Sequence, residues 1–110
     1  MSGSSFITDE TPAGDSNAIT VSSTALGVTA AKVTISQAGG FHKRCVRVFV
    51  TVESNPIRVL WSGNTPTTSV GHLVQAGETF TVEGEGNVGK LLMIATGSDA
   101  TVNVSYYYNL

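Results

Sequence analysis

The sequence predicts one all-β domain: a single antiparallel β-sandwich, jelly-roll-like or immunoglobulin-like, with about seven to eight short strands and an extended N-terminal arm. Apolar and polar residues alternate with a period of two along most of the chain. Turn-forming residues such as Gly, Pro, Asn and Asp recur roughly every ten positions. No stretch of about eleven residues carries the apolar stripe of an amphipathic helix.

Two strands show the clearest alternation. Residues 44–53 place four valines on one face, which are Val46, Val48, Val50 and Val52. Residues 101–108 place two valines and two tyrosines on one face, which are Val102, Val104, Tyr106 and Tyr108. These faces are predicted to line the core. Phe49 and Tyr107 then point outward.

Weaker strands are predicted at residues 18–22, 32–36, 57–61, 72–74, 78–83 and 90–96. The segment 90–96 is apolar on both faces, which is typical of a central strand covered on both sides. The turn at residues 54–56 joins two strong strands and predicts a hairpin. Residues 23–31 have room for one helical turn.

The predicted domain boundary lies between residues 17 and 18. Residues 1–17 are rich in Ser, Gly, Asp, Thr and Pro, and only Phe6 and Ile7 interrupt this polarity. We expect this arm to be flexible in the free protein and to become ordered on a partner, with Phe6 or Ile7 docking there. A solvated tail is the alternative. Residues 18–110 form the predicted β-sandwich domain.

Composition argues against several functions. The net charge of −2 lacks the excess of positive charge that nucleic-acid binding requires. We interpret the one basic cluster as the solvated start of a strand, with a phosphate or acidic contact as the alternative; it comprises His42, Lys43, Arg44 and Arg47. No apolar stretch reaches the roughly 18 residues of a membrane span. Residues 1–5 lack the features of a signal peptide, so synthesis in the cytoplasm is expected.

The glycine-rich segment 84–90 matches the spacing of two nucleotide-binding motifs. Gly84, Gly86 and Gly89 fit a dinucleotide fingerprint, and Lys90 follows as in a phosphate-binding loop. Both motifs need a helix after the loop, whereas residues 91–95 read as a strand. Leu91 also stands where that loop needs Ser or Thr. We therefore predict a hairpin loop and no nucleotide cofactor.

No residue pattern indicates catalysis or a metal site. His42 and Cys45 lie three residues apart, so in a strand they would face opposite sides of the sheet. Cys45 is the only cysteine, and His42 and His72 are far apart in the sequence, whereas metal sites need clustered ligands. We expect a protein that is not an enzyme and binds no metal.

Three aromatic residues are candidates for a protein interface. Phe49 and Tyr107 are predicted to point outward from their strands, and Trp61 ends another strand. Large aromatic side chains are enriched at protein interfaces and in sugar-binding grooves. Trp61 in the core is the alternative for that residue. Together with Phe6 and Ile7, these three form the predicted interface set.

The order of strands and turns resembles small all-β structural proteins of tailed bacteriophages. The segments that carry this resemblance are residues 18–22, 46–52, 56–59, 63–69, 71–78, 91–95 and 97–104. The resemblance implies a virion protein without catalytic activity. It implies a capsid decoration or cement protein, or a tail or neck accessory protein.

This resemblance also sets the expected partners. We expect binding to the major capsid protein or to other virion proteins, as a homo-oligomer in which a trimer is favoured. Low charge and outward aromatic residues also favour an oligomer. The alternative from another class is a carbohydrate-binding or adhesion module, with Trp61 and the run Tyr106–Tyr108 as its platform.

Overall fold

The computed structural model describes residues 14–36 and 42–109. Within them lie eight strands and two short helices. In chain order these are β1 (Asp15–Val21), α1 (Ala30–Val33), β2 (Thr34–Ser36), β3 (His42–Ser54), β4 (Ile57–Leu60), β5 (His72–Val74), β6 (Thr79–Glu83), α2 (Glu85–Lys90), β7 (Leu92–Ala95) and β8 (Ala100–Tyr108).

The strands form two antiparallel sheets. In the five-stranded sheet β8 lies between β1 and β3, and the other edge of β3 pairs with both β2 and β6. In the three-stranded sheet β4 lies between β5 and β7. The prediction of a mostly β protein built from antiparallel sheets is therefore confirmed.

One buried cluster takes side chains from both sheets. The five-stranded sheet contributes Val48, Val50, Val52, Val102, Val104 and Tyr106, among others. The three-stranded sheet contributes Ile57, Val59, Val74, Met93 and Ala95. The period-two alternation thus locates the core correctly over most of β3 and all of β8.

The prediction is wrong for Val46. The register between β3 and β8 shifts between Cys45 and Arg47, so one extra residue stands in β3 at this point. Such a bulge reverses the alternation of side chains on the bulged strand. Cys45 is consequently fully buried, and Val46 is only half-buried.

The chain crosses between the sheets after β3. Residues 54–56 carry it from β3 in one sheet to β4 in the other, so the predicted hairpin is wrong. Asn55 adopts a left-handed conformation with φ of 59°. Its side-chain amide donates a hydrogen bond of 2.9 Å to the carbonyl of Asp99, which fixes the turn against the loop before β8.

Within segment 90–96, Met93, Ile94 and Ala95 are buried in succession, so β7 is buried on both faces as predicted. The prediction of a central strand is wrong, because β7 lies at an edge of the three-stranded sheet. One side of β7 pairs with β4. On the other side, Met93 and Leu26 exchange two backbone hydrogen bonds of 2.8 and 2.9 Å. The Ala95 amide also donates to the carbonyl of Ser22 at 2.9 Å. The segment after β1 therefore connects the two sheets.

The glycine-rich segment forms helix α2, so the predicted hairpin loop is wrong. Gly84 precedes the helix with φ of 98°, a conformation that glycine adopts without steric cost. Glu85 and Lys90 place a negative charge in the first turn and a positive charge in the last, which favours a helix. Val88 is buried and anchors α2 on the core.

The start of the predicted strand at residues 32–36 is also helical. α1 ends at Val33, and only Thr34–Ser36 form strand β2. An ion pair of 2.6 Å between Lys32 on α1 and Asp15 on β1 holds the helix to the edge of the five-stranded sheet.

Strand β1 begins at Asp15, three residues before the predicted boundary at residue 18. β1 pairs with β8 from Asp15 onward, and the Gly14 amide donates a hydrogen bond of 2.8 Å to the Tyr106 carbonyl. Phe6 and Ile7 lie outside the described residues, as does most of the arm predicted for residues 1–17. Deletions that target the arm should therefore stop at residue 13.

Two neighbouring substitutions test which face of β3 lines the core. Val48→Asp would bury an unpaired carboxylate, which costs several kcal/mol and should prevent folding. Phe49→Asp changes an outward side chain and should cost about 1 kcal/mol. Circular dichroism and thermal melting measure both. Equal melting temperatures for the two variants would contradict the assignment.

Candidate functional site

The outer face of the five-stranded sheet presents a regular array of outward side chains. It consists of the outward side chains of β3, β6 and β8, which are Arg47, Phe49, Thr51, Thr79, Thr81, Glu83, Asn103, Ser105 and Tyr107. Phe49 lies opposite Thr81 on one side and Ser105 on the other. It is 39% exposed and stands among short hydroxyl and amide side chains.

Arg47 and Tyr107 border this face at one end. The two residues are paired across β3 and β8, and the Arg47 guanidinium lies 4.3 Å from the centre of the Tyr107 ring. This cation–π contact holds the half-buried ring in place and covers one side of it. Glu83 pairs with Arg47 on the opposite strand, so the border carries both signs of charge.

The structure places Phe49 and Tyr107 on one face but Trp61 elsewhere. Trp61 follows β4 of the three-stranded sheet and packs, half-buried, against the core cluster. Its ring stacks on His72, with centroids 5.1 Å apart and an interplanar angle of 28°. The alternative prediction, in which Trp61 belongs to the core, therefore agrees with the packing of one part of this side chain.

The three consecutive tyrosines predicted as part of a glycan-binding platform do not form one exposed surface. Tyr106 is fully buried and Tyr108 is 6% exposed, so only Tyr107 of this run faces outward. The period-two alternation already places these two tyrosines with the core valines. Arg47 covers one side of the Tyr107 ring, so a sugar ring could not stack on that side.

Tyr106 connects the five-stranded sheet to α1. Its hydroxyl donates a hydrogen bond of 2.9 Å to Asn17 Oδ1 and accepts one of 3.3 Å from the Thr29 amide. The Asn17 side-chain amide in turn donates to Thr29 Oγ1 at 2.8 Å. These bonds fix the residue that precedes α1 against the inner face of β1 and β8.

Tyr108 differs from Tyr106 because its hydroxyl has no partner among the described residues. This buried oxygen makes no hydrogen bond to the described part of the chain. Burial, with a smaller contribution from the Asp15 carboxylate, raises the pKa of Tyr108 to about 12. Gly14 lies directly on the ring, because a Cβ at this position would come within 2.5 Å of it.

A cavity of about 270 Å³ opens between α1 and α2. Its walls include Ala30 and Val33 of α1, Val88 and Gly89 of α2, and Leu91. Thr34 is the one lining residue with a polar side chain. Sequence reasoning missed this cavity because both helices are too short to show a helical period.

Two further exposed apolar side chains are Val70, in the loop before β5, and Leu73, on β5 of the three-stranded sheet. Val70 is 55% exposed and Leu73 is 45% exposed. Arg58 fixes the loop between β4 and β5 by donating hydrogen bonds to the carbonyls of Thr68 at 3.1 Å and Gly71 at 2.9 Å. Substitutions at these two residues can serve as controls for substitutions at Phe49, which lies on the other sheet.

Cys45 lies inside the core rather than at a surface. Burial raises the pKa of its thiol, and Sγ contacts the Arg47 carbonyl at 3.1 Å. Residues 14–36 and 42–109 contain no group of three His, Cys, Asp or Glu side chains arranged to hold a metal ion. Neither of the two helices in these ranges has the length and apolar character needed to cross a membrane.

Comparison of the chain with models of known families, with curated proteins and with solved structures finds no match.

The two buried tyrosines give a matched test of this geometry. Tyr106→Phe removes two hydrogen bonds and leaves polar groups of Asn17 and Thr29 unpaired, so it should destabilise the protein by about 1–3 kcal/mol. Tyr108→Phe removes a buried hydroxyl that makes no hydrogen bond to residues 14–36 or 42–109, and it should be neutral or stabilising. Urea unfolding of both variants measures the difference. An equal loss of stability in the two would contradict these hydrogen-bond assignments.

Proposed function

We propose that this protein is a virion structural protein of the capsid decoration or cement type. It binds the outer surface of a capsid through the outer face of its five-stranded sheet and stabilises the shell. The observation that carries this proposal is the exposed Phe49, set among threonine, serine and asparagine side chains on a regular sheet. The resemblance to small phage structural proteins supplies the class of partner.

Phe49 suits the centre of a protein interface for a physical reason. An aromatic ring has few rotatable bonds, so burying it against a partner gains apolar contact at a low cost in entropy. The surrounding hydroxyl and amide groups are uncharged and cost less to desolvate than carboxylates or ammonium groups. The sheet also holds them in a fixed arrangement, so little ordering is needed on binding.

The charged border complements this centre. Arg47, stacked on Tyr107, keeps a fixed orientation in which its remaining donors can meet a carboxylate or carbonyl of the partner. Glu83 beside it makes the border sensitive to the sign of the partner's charges. Arg and Tyr are both enriched at interfaces, whereas exposed lysines are depleted.

A shell repeats such a contact many times. A contact of about 800 Å² per partner is standard for a specific interface, and repetition around a particle adds avidity. In this proposal the two sheets form a β-sandwich of jelly-roll-like or immunoglobulin-like type with an N-terminal arm. The protein acts as a homo-oligomer, with a trimer favoured, located on the virion after synthesis in the host cytoplasm.

Two alternative functions differ from this proposal in the partner or in the surface that binds it. A tail or neck accessory protein would use the same outer face on a different virion partner. A carbohydrate-binding or adhesion module would use Trp61, whose stacked pair with His72 offers an aromatic surface on the other sheet. Glycan binding that is lost in Trp61→Ala and kept in Phe49→Ala would favour this module.

Co-sedimentation with empty capsids tests the proposed function. The capsids are assembled from the major capsid protein encoded in the same genome. Phe49→Ala should weaken binding at least tenfold, about 1.4 kcal/mol, because it removes the aromatic side chain at the centre of the contact. Leu73→Ala, on the three-stranded sheet, is the matched control and should bind like the parent. A parent protein that stays in the supernatant, or a Phe49→Ala variant that binds as tightly as the parent, would refute the proposal.

A further inference from the structure

Strand β6 forms one edge of the five-stranded sheet. In the described part of the chain, β3 is the only strand that pairs with it. The Gly84 amide donates a hydrogen bond of 2.8 Å to the Val46 carbonyl. The Val52 amide likewise donates one of 2.9 Å to the Glu78 carbonyl. Because alternate residues of an antiparallel strand bond to the same neighbour, the even-numbered residues from 78 to 84 face β3.

The odd-numbered residues of β6 direct their backbone groups away from β3. These are Thr79, Thr81 and Glu83, and the side chains of all three are exposed. The Glu83 carbonyl shows this direction, because it accepts a hydrogen bond of 2.9 Å from the Asn87 side-chain amide. The N–H groups of the three residues and the carbonyls of Thr79 and Thr81 are left for a partner.

The edge at β6 lacks the features that usually protect a sheet edge from other strands. Native edge strands commonly carry Lys, Pro or a bulge. β6 contains neither Lys nor Pro, and its register with β3 is continuous. At the opposite edge of the sheet, the Ser16 amide of β1 donates to the Asp15 carboxylate at 2.8 Å, and Lys32 pairs with that carboxylate. β6 is therefore the edge better suited to receive another strand.

The β6 strand of a second copy is complementary to this edge. Antiparallel pairing about a two-fold axis at Thr81 places Thr81 opposite its own copy and Thr79 opposite Glu83. Each outward N–H then meets a carbonyl, since the Glu83 oxygen can accept a second hydrogen bond. On the inner face, the half-buried Phe80 lies opposite Val82 of the second copy, a favourable cross-strand pair. The two Glu83 side chains stay about 14 Å apart along the strands, whereas parallel pairing would place them side by side.

We infer that β6 pairs with β6 of a second copy, so that two five-stranded sheets join into one continuous sheet. The two-fold axis of such an antiparallel pair is perpendicular to the sheet, so both outer faces lie on the same side. Phe49 is paired with Thr81 across β3 and β6. The two Phe49 rings therefore lie in one row, three strand spacings or about 14 Å apart.

This contact closes as a dimer, because the same surface of both copies is used up in it. The inference therefore departs from the trimer that the resemblance to phage proteins favours. The pairing of the strands does not rest on the proposed function. Its consequence for capsid binding does, since the dimer would present two Phe49 side chains to one partner surface.

Disulfide trapping tests the pairing directly on purified protein. Residues opposite each other in a hydrogen-bonded antiparallel pair have Cα atoms about 5.5 Å apart, which a disulfide can bridge. Thr81→Cys should therefore give covalent dimers on mild oxidation, with the fully buried Cys45 retained. The control is Thr79→Cys, which is equally exposed on the same strand but would lie about 14 Å from its own copy. Equal yields of dimer from the two variants, or no dimer from either, would overturn the inference.

A charge exchange at the axis provides a second test that needs no cysteine. Thr81→Lys and Thr81→Glu should each raise the dissociation constant of the dimer about tenfold, because like charges meet across the axis. An equal mixture of the two variants should associate at least as well as the parent. Asn103→Lys and Asn103→Glu are the controls, since Asn103 is exposed on the same face but lies on the interior strand β8. Analytical ultracentrifugation measures all of them. A parent that stays monomeric, or a mixture that associates no better than either variant alone, would overturn the inference.

These outcomes separate the inference from the proposed function. Both experiments use the protein without capsids. If the strands do not pair while Phe49→Ala still weakens capsid binding, only the inference falls. If they pair and no capsid is bound, the dimer stands and the proposed function falls.

Discussion

The pairing of β3 with β8 is the constraint on which the rest of the structure depends. These are the two longest strands, and their register decides which side chains enter the core and which form the outer face. A shift by one residue would turn Phe49 inward and Val48 outward, because side chains alternate along each strand. β1, β2 and β6 attach to this pair, and the core it lines receives the three-stranded sheet. The position of the candidate interface is therefore a consequence of the same register that builds the core.

The sequence predicts each of these two strands well, although not their pairing, because repeated valines on one face are a strong signal. Burial of Val48, Val50, Val102 and Val104 follows from alternation alone. The exception is the bulge that buries Cys45 in place of Val46, since one extra residue leaves no mark in the pattern. The outward positions of Phe49 and Tyr107 could be predicted for the same reason as the core. Their contacts with Ser105 and Arg47 depend on the cross-strand register, which the sequence does not specify.

The parts that the sequence could not predict are short or non-local. α1 and α2 span four and six residues, so neither can show a helical period, and their stability depends on packing against the sheets. The cavity between them exists because two segments far apart in the chain meet at one end of the domain. The turn at residues 54–56 has the composition of a hairpin, yet it joins different sheets, because the partners of β3 and β4 come from elsewhere in the chain. Local turn chemistry fixes the shape of a turn but not which strands pair.

The central claim is that the outer face of the five-stranded sheet, set by the β3–β8 register, is the surface that binds the partner. Hydroxyl-radical labelling of side chains, measured by mass spectrometry, tests this claim most directly. In the free protein, Phe49 should be oxidised readily and the buried Tyr106 only slowly. On assembled capsids, oxidation of Phe49 and Tyr107 should fall, and that of Leu73 on the other sheet should persist. Unchanged labelling of Phe49, together with protection of Leu73 or Trp61, would show that a different surface binds the partner.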